Sequence, residues 1–418
     1  MEKQKCPEVR FIGFVGGWFK SSLAKCTDLL TGNPFDSNEF TSSGVLLVRG
    51  MNVKRGYLDT SANLSKYWPS SKGLERYLLQ AEDIVIQMDG ALIGKSYAKI
   101  NSKDLPALLV QRVARVRSNK VESEFIYQYI HKGFLSHISG IKTETAVPHL
   151  SLNDIRNFTF FLPDQSEQII IGDLFRKLDQ SIALHEKKLA QTQNFKKAML
   201  GKMFPKQGTQ RPEIRLKGFG GDWHSSKLLD YISIKHGYAF NGEFFSDKET
   251  DYCLLTPGNF RIGGGFKAEK FIYYKGEVPK NYILKENDLI VTMTDLSKES
   301  DTLGLPALLP SIKGKTFLHN QRLGLINFEN SELDKEFLFY LLQTKSYHKY
   351  IVLAATGTTV KHTSPSKILG FTCKIPEPAE QEKIGQFFKK IDEKIYLHQQ
   401  QLQTVKNLKQ AFLEKMFV

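Results

Sequence analysis

The chain carries two motifs twice. PEVRFIGFVGGW at Pro7–Trp18 returns as PEIRLKGFGGDW at Pro212–Trp223, and EQIIIGDLFRKLDQSIALH at Glu167–His185 returns as EQEKIGQFFKKIDEKIYLH at Glu380–His398. The first pair is offset by 205 residues and the second by 213, so the stretches between the motifs differ in length by eight residues. Those stretches hardly match in sequence. A duplicated unit this long is no solenoid repeat. The pattern predicts a constant frame, repeated, around two different variable domains.

The 418 residues, 41% of them hydrophobic, suffice for ordinary buried cores, and the usual domain size predicts two or three domains. Lysine and arginine outnumber aspartate and glutamate by 58 to 44, a formal charge of +14, which points to a polyanionic partner. The alternative is a basic surface that binds nothing. No apolar run approaches the roughly 18 residues of a membrane span, and MEKQKCPE at the N-terminus lacks a hydrophobic signal core, so a cytoplasmic location without membrane association is expected. Cys6, Cys26, Cys253 and Cys373 show no CxxC spacing. They suggest neither a metal site nor a disulfide framework.

Between Trp18 and Pro163, GVLLVRGMN, EDIVIQMDG and LPALLVQRVARV alternate with turn residues, as strands of an α/β or α+β domain do. YCLLTPGN, NDLIVTMTD and QRLGLINF take comparable places in the second half, pairing Asp83 with Asp288, Met88 with Met293 and Gln111-Arg112 with Gln321-Arg322. The two variable stretches are therefore expected to share a mixed α+β fold with diverged loops. After Pro163 the period becomes helical, with apolar residues at Ile171, Leu174, Leu178, Ile182, Leu189, Met199 and Met203. Phe388, Ile391, Ile395, Leu402, Val405, Phe412 and Met416 repeat the seam, with His398 interrupting it. Each helix should run about 35 residues, or roughly 50 Å at about 1.5 Å per residue. The natural partner of each stripe is the other copy, packed antiparallel about a pseudo-two-fold axis. Such a pair would hold the two globular domains apart, inverted, at opposite ends of a rod. PKQGTQRP at Pro205–Pro212 is a short linker, and because the N-terminus starts with the motif that follows this linker, the C-terminal helix should end near it in a nearly circular layout.

Two similar basic domains on a spacer suit the reading of two stretches of one DNA duplex, since phosphates supply affinity and base edges supply sequence information. The loops Gln87–Lys95 and Thr292–Gly304 follow equivalent predicted strands and are short and polar enough to approach a groove. Candidate DNA contacts in the first half are Arg49, Lys54, Arg55, Tyr57, Lys66 and Lys95, with Tyr67 beside them. In the second half they are Arg261, Lys267, Lys270, Lys298, Lys361 and His362, with Tyr273 and Tyr274 nearby. Arginine and lysine reach guanine edges or phosphates, and tyrosine hydrogen-bonds or stacks. For any one of them, plain solvation is the competing explanation.

Catalytic readings fare worse. Thr143–Ile155 and Thr356–Ile368 align and bring His149 opposite His362, but no base or nucleophile recurs beside them, and a polar turn before a short helix accounts for the pattern. Pro163, Asp164, Glu186 and Lys188 formally spell a nuclease-like PD…ExK. That chemistry needs Glu and Lys on a strand, whereas these fall on a helix and the second copy has Gln399 and Gln401 instead. Asn33-Pro34-Phe35 lacks the second proline of an amino-methyltransferase loop, and no Gly-rich turn, Walker loop, HExxH or GxSxG occurs. The chain is expected to have no catalytic centre.

The repeated EQ…IG…F…D…I…H helix, the PE[VI]R…GF motif and the two unlike middles together resemble the specificity subunit of Type I restriction-modification enzymes over nearly the whole chain. The resemblance implies target-recognition domains at about 19–162 and 224–375 and helical regions at about 163–204 and 376–417. With flanking segments included, the expected divisions are 1–162, 163–212, 213–375 and 376–418. It also implies that each recognition domain reads one half of an asymmetric, bipartite site on double-stranded DNA, with the helices setting the unspecified gap. By the same resemblance the chain binds no cofactor itself. It would assemble with two modification subunits carrying S-adenosylmethionine and with ATP- and Mg-dependent restriction and translocase subunits. The helical faces, including Gln168, Phe175, Asp179, Ile182, Gln381, Phe388, Asp392 and Ile395, would be shared between packing on each other and docking those partners. The rival from another class is a non-enzymatic interaction scaffold carrying two modules on a coiled coil.

Overall fold

A computed structural model describes residues 5–139, 149–295, 297 and 299–418. The chain forms two compact units that do not follow chain order: unit one is Met1–Glu186 with Gln400–Val418, and unit two is Lys187–Gln399. Each long helix, Gln165–Lys202 and Pro378–Met416, therefore contributes one end to each unit. The helices have 38 and 39 residues, close to the length that the apolar period predicted.

Unit one holds an antiparallel sheet ordered Thr27–Thr31, Val113–Ser118, Ile84–Gln87, Tyr97–Lys99. A smaller sheet orders Tyr67–Trp68, Val45–Val48 and Ala107–Leu109, the last two parallel. Phe19–Ser22 pairs with Thr159–Leu162 and so joins the beginning and end of the first variable stretch. Unit two repeats this plan. Its antiparallel sheet is Ile232–His236, Leu323–Phe328, Leu289–Thr292, Pro306–Leu308, and its second sheet adds a short outer strand to the order Ile272–Tyr274, Tyr252–Leu254, Thr316–Leu318. His224–Lys227 pairs with Thr372–Ile375 as the closing ribbon. The three apolar runs noted in each half lie on these strands.

The repeated motifs are the pieces that fasten helix to domain. Arg10 donates from Nε and Nη2 to both oxygens of Glu167, at 2.7 Å each, and Arg215 does the same to Glu380 at 2.8 and 2.6 Å. The following glutamine is an equally strict tie. Gln168 Nε2 donates to the Pro163 carbonyl at 2.8 Å while its Oε1 accepts from Glu122 N at 3.1 Å; Gln381 does so with Pro376 and Asp334, both at 2.9 Å. One turn on, a glycine is required for close approach. A Cβ at Gly172 would lie 3.2 Å from Glu124 Cβ, and one at Gly385 would lie 2.8 Å from Glu336 Cβ.

The helix ends complete each core. Phe175, Leu413, Met416 and Phe417 are buried with Trp18 and Phe125 in unit one, and Phe388, Ile384, Met203 and Phe204 with Trp223 and Phe337 in unit two. The aromatic geometry repeats: Trp18 meets Phe417 at 6.4 Å and 88°, and Trp223 meets Phe204 at 6.2 Å and 86°. Within unit one the helix segments run antiparallel, tied by Asp179–Lys409 at 2.6 Å and Glu186–Lys406 at 2.7 Å. In unit two Asp392–Lys196 at 2.7 Å is the counterpart of the first pair. Val9 N donates to the Lys415 carbonyl at 3.0 Å, so the last helix does end beside the N-terminal motif.

Candidate nucleic-acid interface

In both units one frame of backbone hydrogen bonds gathers loops from separate strands. In unit one Gln111 N donates to Asn33 O at 2.8 Å, Met88 N to Arg112 O at 2.9 Å and Leu150 N to Met88 O at 2.7 Å. In unit two the corresponding bonds are Gln321 N to Tyr238 O at 3.0 Å, Met293 N to Arg322 O at 2.8 Å and Thr363 N to Met293 O at 3.0 Å. Glycine makes the tightest crossing possible. A Cβ at Gly32 would fall 2.2 Å from the Val110 carbonyl oxygen, and at Gly237 1.9 Å from that of Asn320, so any side chain there would push the loops apart.

On this shared frame the side chains differ. Asp89 forms a bridge with His149 in unit one, its carboxylate accepting from His149 Nδ1 and, at 3.0 Å, pairing with Arg112 Nε. Thr294 takes that place in unit two, pairing in register with His362 and placing its Oγ1 3.2 Å from His362 Nδ1. The histidines thus lie beside a turn in which Ser151 and Ser364 cap the short helices Leu152–Arg156 and Pro365–Leu369. The polar-turn explanation of the sequence is the one that the geometry matches. The loop after Leu289–Thr292 is pinned by Asp295, which is buried and accepts from Ser297 N, Thr302 N and Thr302 Oγ1. Burial pushes this carboxyl up, but the hydrogen bonds from Thr302 and Ser297 outweigh it and hold its pKa below the ordinary value.

The predicted contact residues lie on several separate segments of the two units. Lys54, Arg55 and Tyr57 share the hairpin bridged at Val53 and Leu58, with Arg55 and Tyr57 exposed. Arg49 is half-buried, donating to the Leu64 carbonyl and lying over the Phe40 ring at 5.8 Å; burial lowers its pKa. Part of its donor capacity is thus used within the domain. Lys66 is exposed just before the edge strand Tyr67–Trp68, and Lys95 is exposed in the loop after Ile84–Gln87. In unit two Arg261 sits exposed at the base of the Gly263–Gly265 turn, while Lys267 and Lys270 offer their carbonyls to Asn259 Nδ2, and Lys267 also pairs with Glu269 at 3.0 Å. Lys361 is half-buried in the short pairing with Asp295, and His362 beside it is exposed. Lys298 lies outside the described residues. Arg112, Arg322, Asp89 and Thr294 were not singled out from sequence, although the matching Gln-Arg pairs were the available signal.

Of the helix residues, Gln168, Phe175, Gln381 and Phe388 are buried in the packing of their own units. They are taken up by intramolecular contacts, which corrects the expectation that they also present a docking face. Asp179 and Asp392 are half-buried and ion-paired, Ile182 is half-buried, and Ile395 packs on the unit-two core. Asn33-Pro34-Phe35 is structural: Phe35 packs edge-on against Trp68 at 4.8 Å. Among the described residues no cluster of His, Cys, Asp or Glu could hold a metal ion, and no helix is long and apolar enough to cross a membrane.

Two histidines, His319 buried and His131 half-buried, set an acid limit. His131, bonded to Tyr97, and His319, bonded to the Leu323 carbonyl at 3.0 Å, are both pushed down to about 4, chiefly by burial. Their folded pKa lies below the ordinary 6.5, so the unfolded chain binds more protons between these values. Their stabilisation is complete above pH about 6.5 and is lost as the pH falls toward about 4. Denaturant titrations at pH 7.5 and 5 should show the chain weaker at pH 5, and His319→Gln should flatten that difference in unit two.

A duplicated α+β domain, each copy fastened to a long helix, is the architecture that the comparisons with known proteins match. The chain belongs to the family described as Type I restriction modification DNA specificity domain, which matches residues 23–194 and 220–407. It is 22% identical over 344 residues to the Type I restriction enzyme MjaVIII specificity subunit of Methanocaldococcus jannaschii, covering 80% of this chain and 78% of that one. It is also 32% identical over 170 residues to the EcoAI specificity subunit of Escherichia coli, covering 40% of this chain and 28% of that protein. These relatives are named as specificity subunits. The fold resembles a Type I restriction-modification S subunit from M. genitalium, with a TM-score of 0.64 at 12% identity over 99% of both chains.

Proposed function

We propose that the chain reads an asymmetric, bipartite site on double-stranded DNA, one half per unit. The observation that carries this is the pair of identical loop frames bearing unlike side chains, Asp89 with Arg112 in one and Thr294 with Arg322 in the other. Identical readers would select a palindrome, whereas unlike ones select unlike halves. Arg49, Lys54, Arg55, Tyr57, Lys66 and Lys95 serve the first half, and Arg261, Lys267, Lys270, Lys298, Lys361 and His362 the second. The two long helices act as the spacer that sets the unspecified gap.

In this reading the chain contributes recognition, not chemistry. Two modification subunits bring S-adenosylmethionine, and restriction subunits bring ATP- and Mg-dependent translocation and cleavage. The family membership and the formal charge of +14 support it. Binding of duplex DNA by the assembled complex should weaken about 10³-fold or more between 50 and 200 mM salt, as for proteins making several phosphate contacts. At fixed salt, a duplex carrying the target should compete far better than one of scrambled sequence. Binding indifferent to salt and sequence would favour the interaction scaffold instead.

A further inference from the structure

The polar group at Asp89 has a construction that general phosphate binding does not require. Its carboxylate is largely covered, with 19% of the side chain exposed, while Arg112 and His149 around it are 70% and 57% exposed. One oxygen lies 3.0 Å from Arg112 Nε in an ion pair, and the other accepts from His149 Nδ1. The loop is fixed beneath by Gln87 Nε2 donating to the Asp89 carbonyl at 2.7 Å. Arg112 itself has φ of 67°, a left-handed conformation uncommon for a residue with a Cβ. Exposed ion pairs stabilise little. Backbone strain and a covered carboxylate together therefore point to orientation of the arginine.

The ion pair sets the Arg112 guanidinium beside Asp89 through its Nε side, and a guanidinium so placed can offer its Nη pair as the fork that fits O6 and N7 of guanine in the major groove. The second unit provides an internal contrast. Met293 N bonds the Arg322 carbonyl as Met88 N bonds that of Arg112, yet Thr294 stands where Asp89 does, and Arg322 has no positive φ. Among the described residues Arg322 makes no side-chain ion pair.

We propose that Asp89 is a positioning residue that aims Arg112 at a guanine in the half-site read by unit one, and that Arg322 has no such role in unit two. This rests on the half-site reading above. The test uses the chain assembled with its modification subunits, whose target is first established for the wild type. Dissociation constants are then measured on duplexes with single base-pair changes through both halves. Arg112→Gln and Asp89→Ala should each reduce discrimination at the same one G·C pair by about tenfold or more, leaving the other half unchanged. Arg112→Lys, which keeps the charge but not the fork, should lose the same discrimination with an unaltered salt slope. Arg322→Gln, in the other unit, should leave discrimination intact at the G·C pair that Asp89→Ala affects. Uniform weakening on all sequences with a shallower salt slope would make Arg112 a phosphate contact and overturn the proposal, as would an unchanged profile. A wild-type complex indifferent to every base pair would instead remove the half-site reading, and the proposal with it.

Discussion

Arg10→Met is expected to destabilise unit one by about 3–5 kcal/mol, the cost of leaving a buried carboxylate without its partner. Glu167 is fully buried and both of its oxygens are held by Arg10, whose side chain is 18% exposed. The attraction repays desolvation only while both charges are present, so Arg10→Met combined with Glu167→Leu should recover most of the loss. At about 2–4 °C per kcal/mol for a domain of this size, the single variant should melt roughly 10 °C below the wild type. Arg215→Met should behave likewise in unit two, where Glu380 is equally buried. A double variant as unstable as the single one would show that the pair does not act as a unit.

Phe388→Ala should cost about 3–5 kcal/mol through lost burial and an uncollapsed cavity. The ring is fully buried, 5.1 Å from Tyr340 and 6.1 Å from Phe204, and it joins the helix end to the domain core. Phe175→Ala removes the equivalent ring, 5.4 Å from Phe417, and should cost a similar amount in unit one. Denaturant midpoints of the two variants measure this. A loss under about 1 kcal/mol in either would mean that the helix end contributes little to that core.

These residues were legible in the sequence because they are what the duplication preserves. Arg10, Glu167, Gln168, Gly172 and Phe175, and their counterparts, recur because one local packing problem, a helix leaving a strand beneath an N-terminal loop, is solved twice by the same contacts. The helical period similarly gave the long helices to within a few residues. Sequence divided the repeated face between helix packing and partner docking, and Gln168, Phe175, Gln381 and Phe388 are buried in their own units. Periodicity marks an apolar side without saying what covers it. The candidate interface was less legible. Arg112 and Asp89 are 23 positions apart and meet only because the neighbouring strands Ile84–Gln87 and Val113–Ser118 place their ends together. The cluster of basic residues at 49–66 stood out by composition alone, yet Arg49 spends much of its capacity on Leu64 and Phe40.

Whether this chain chooses a two-part DNA target can be read from adenine methylation mapped by long-read sequencing. DNA from cells expressing the chain with its modification subunit would be compared with DNA from cells lacking the chain. A new methylated motif of two unlike halves separated by a fixed unspecified gap is expected. An assembled complex that methylates no such motif, or one with identical halves, would contradict the half-site reading.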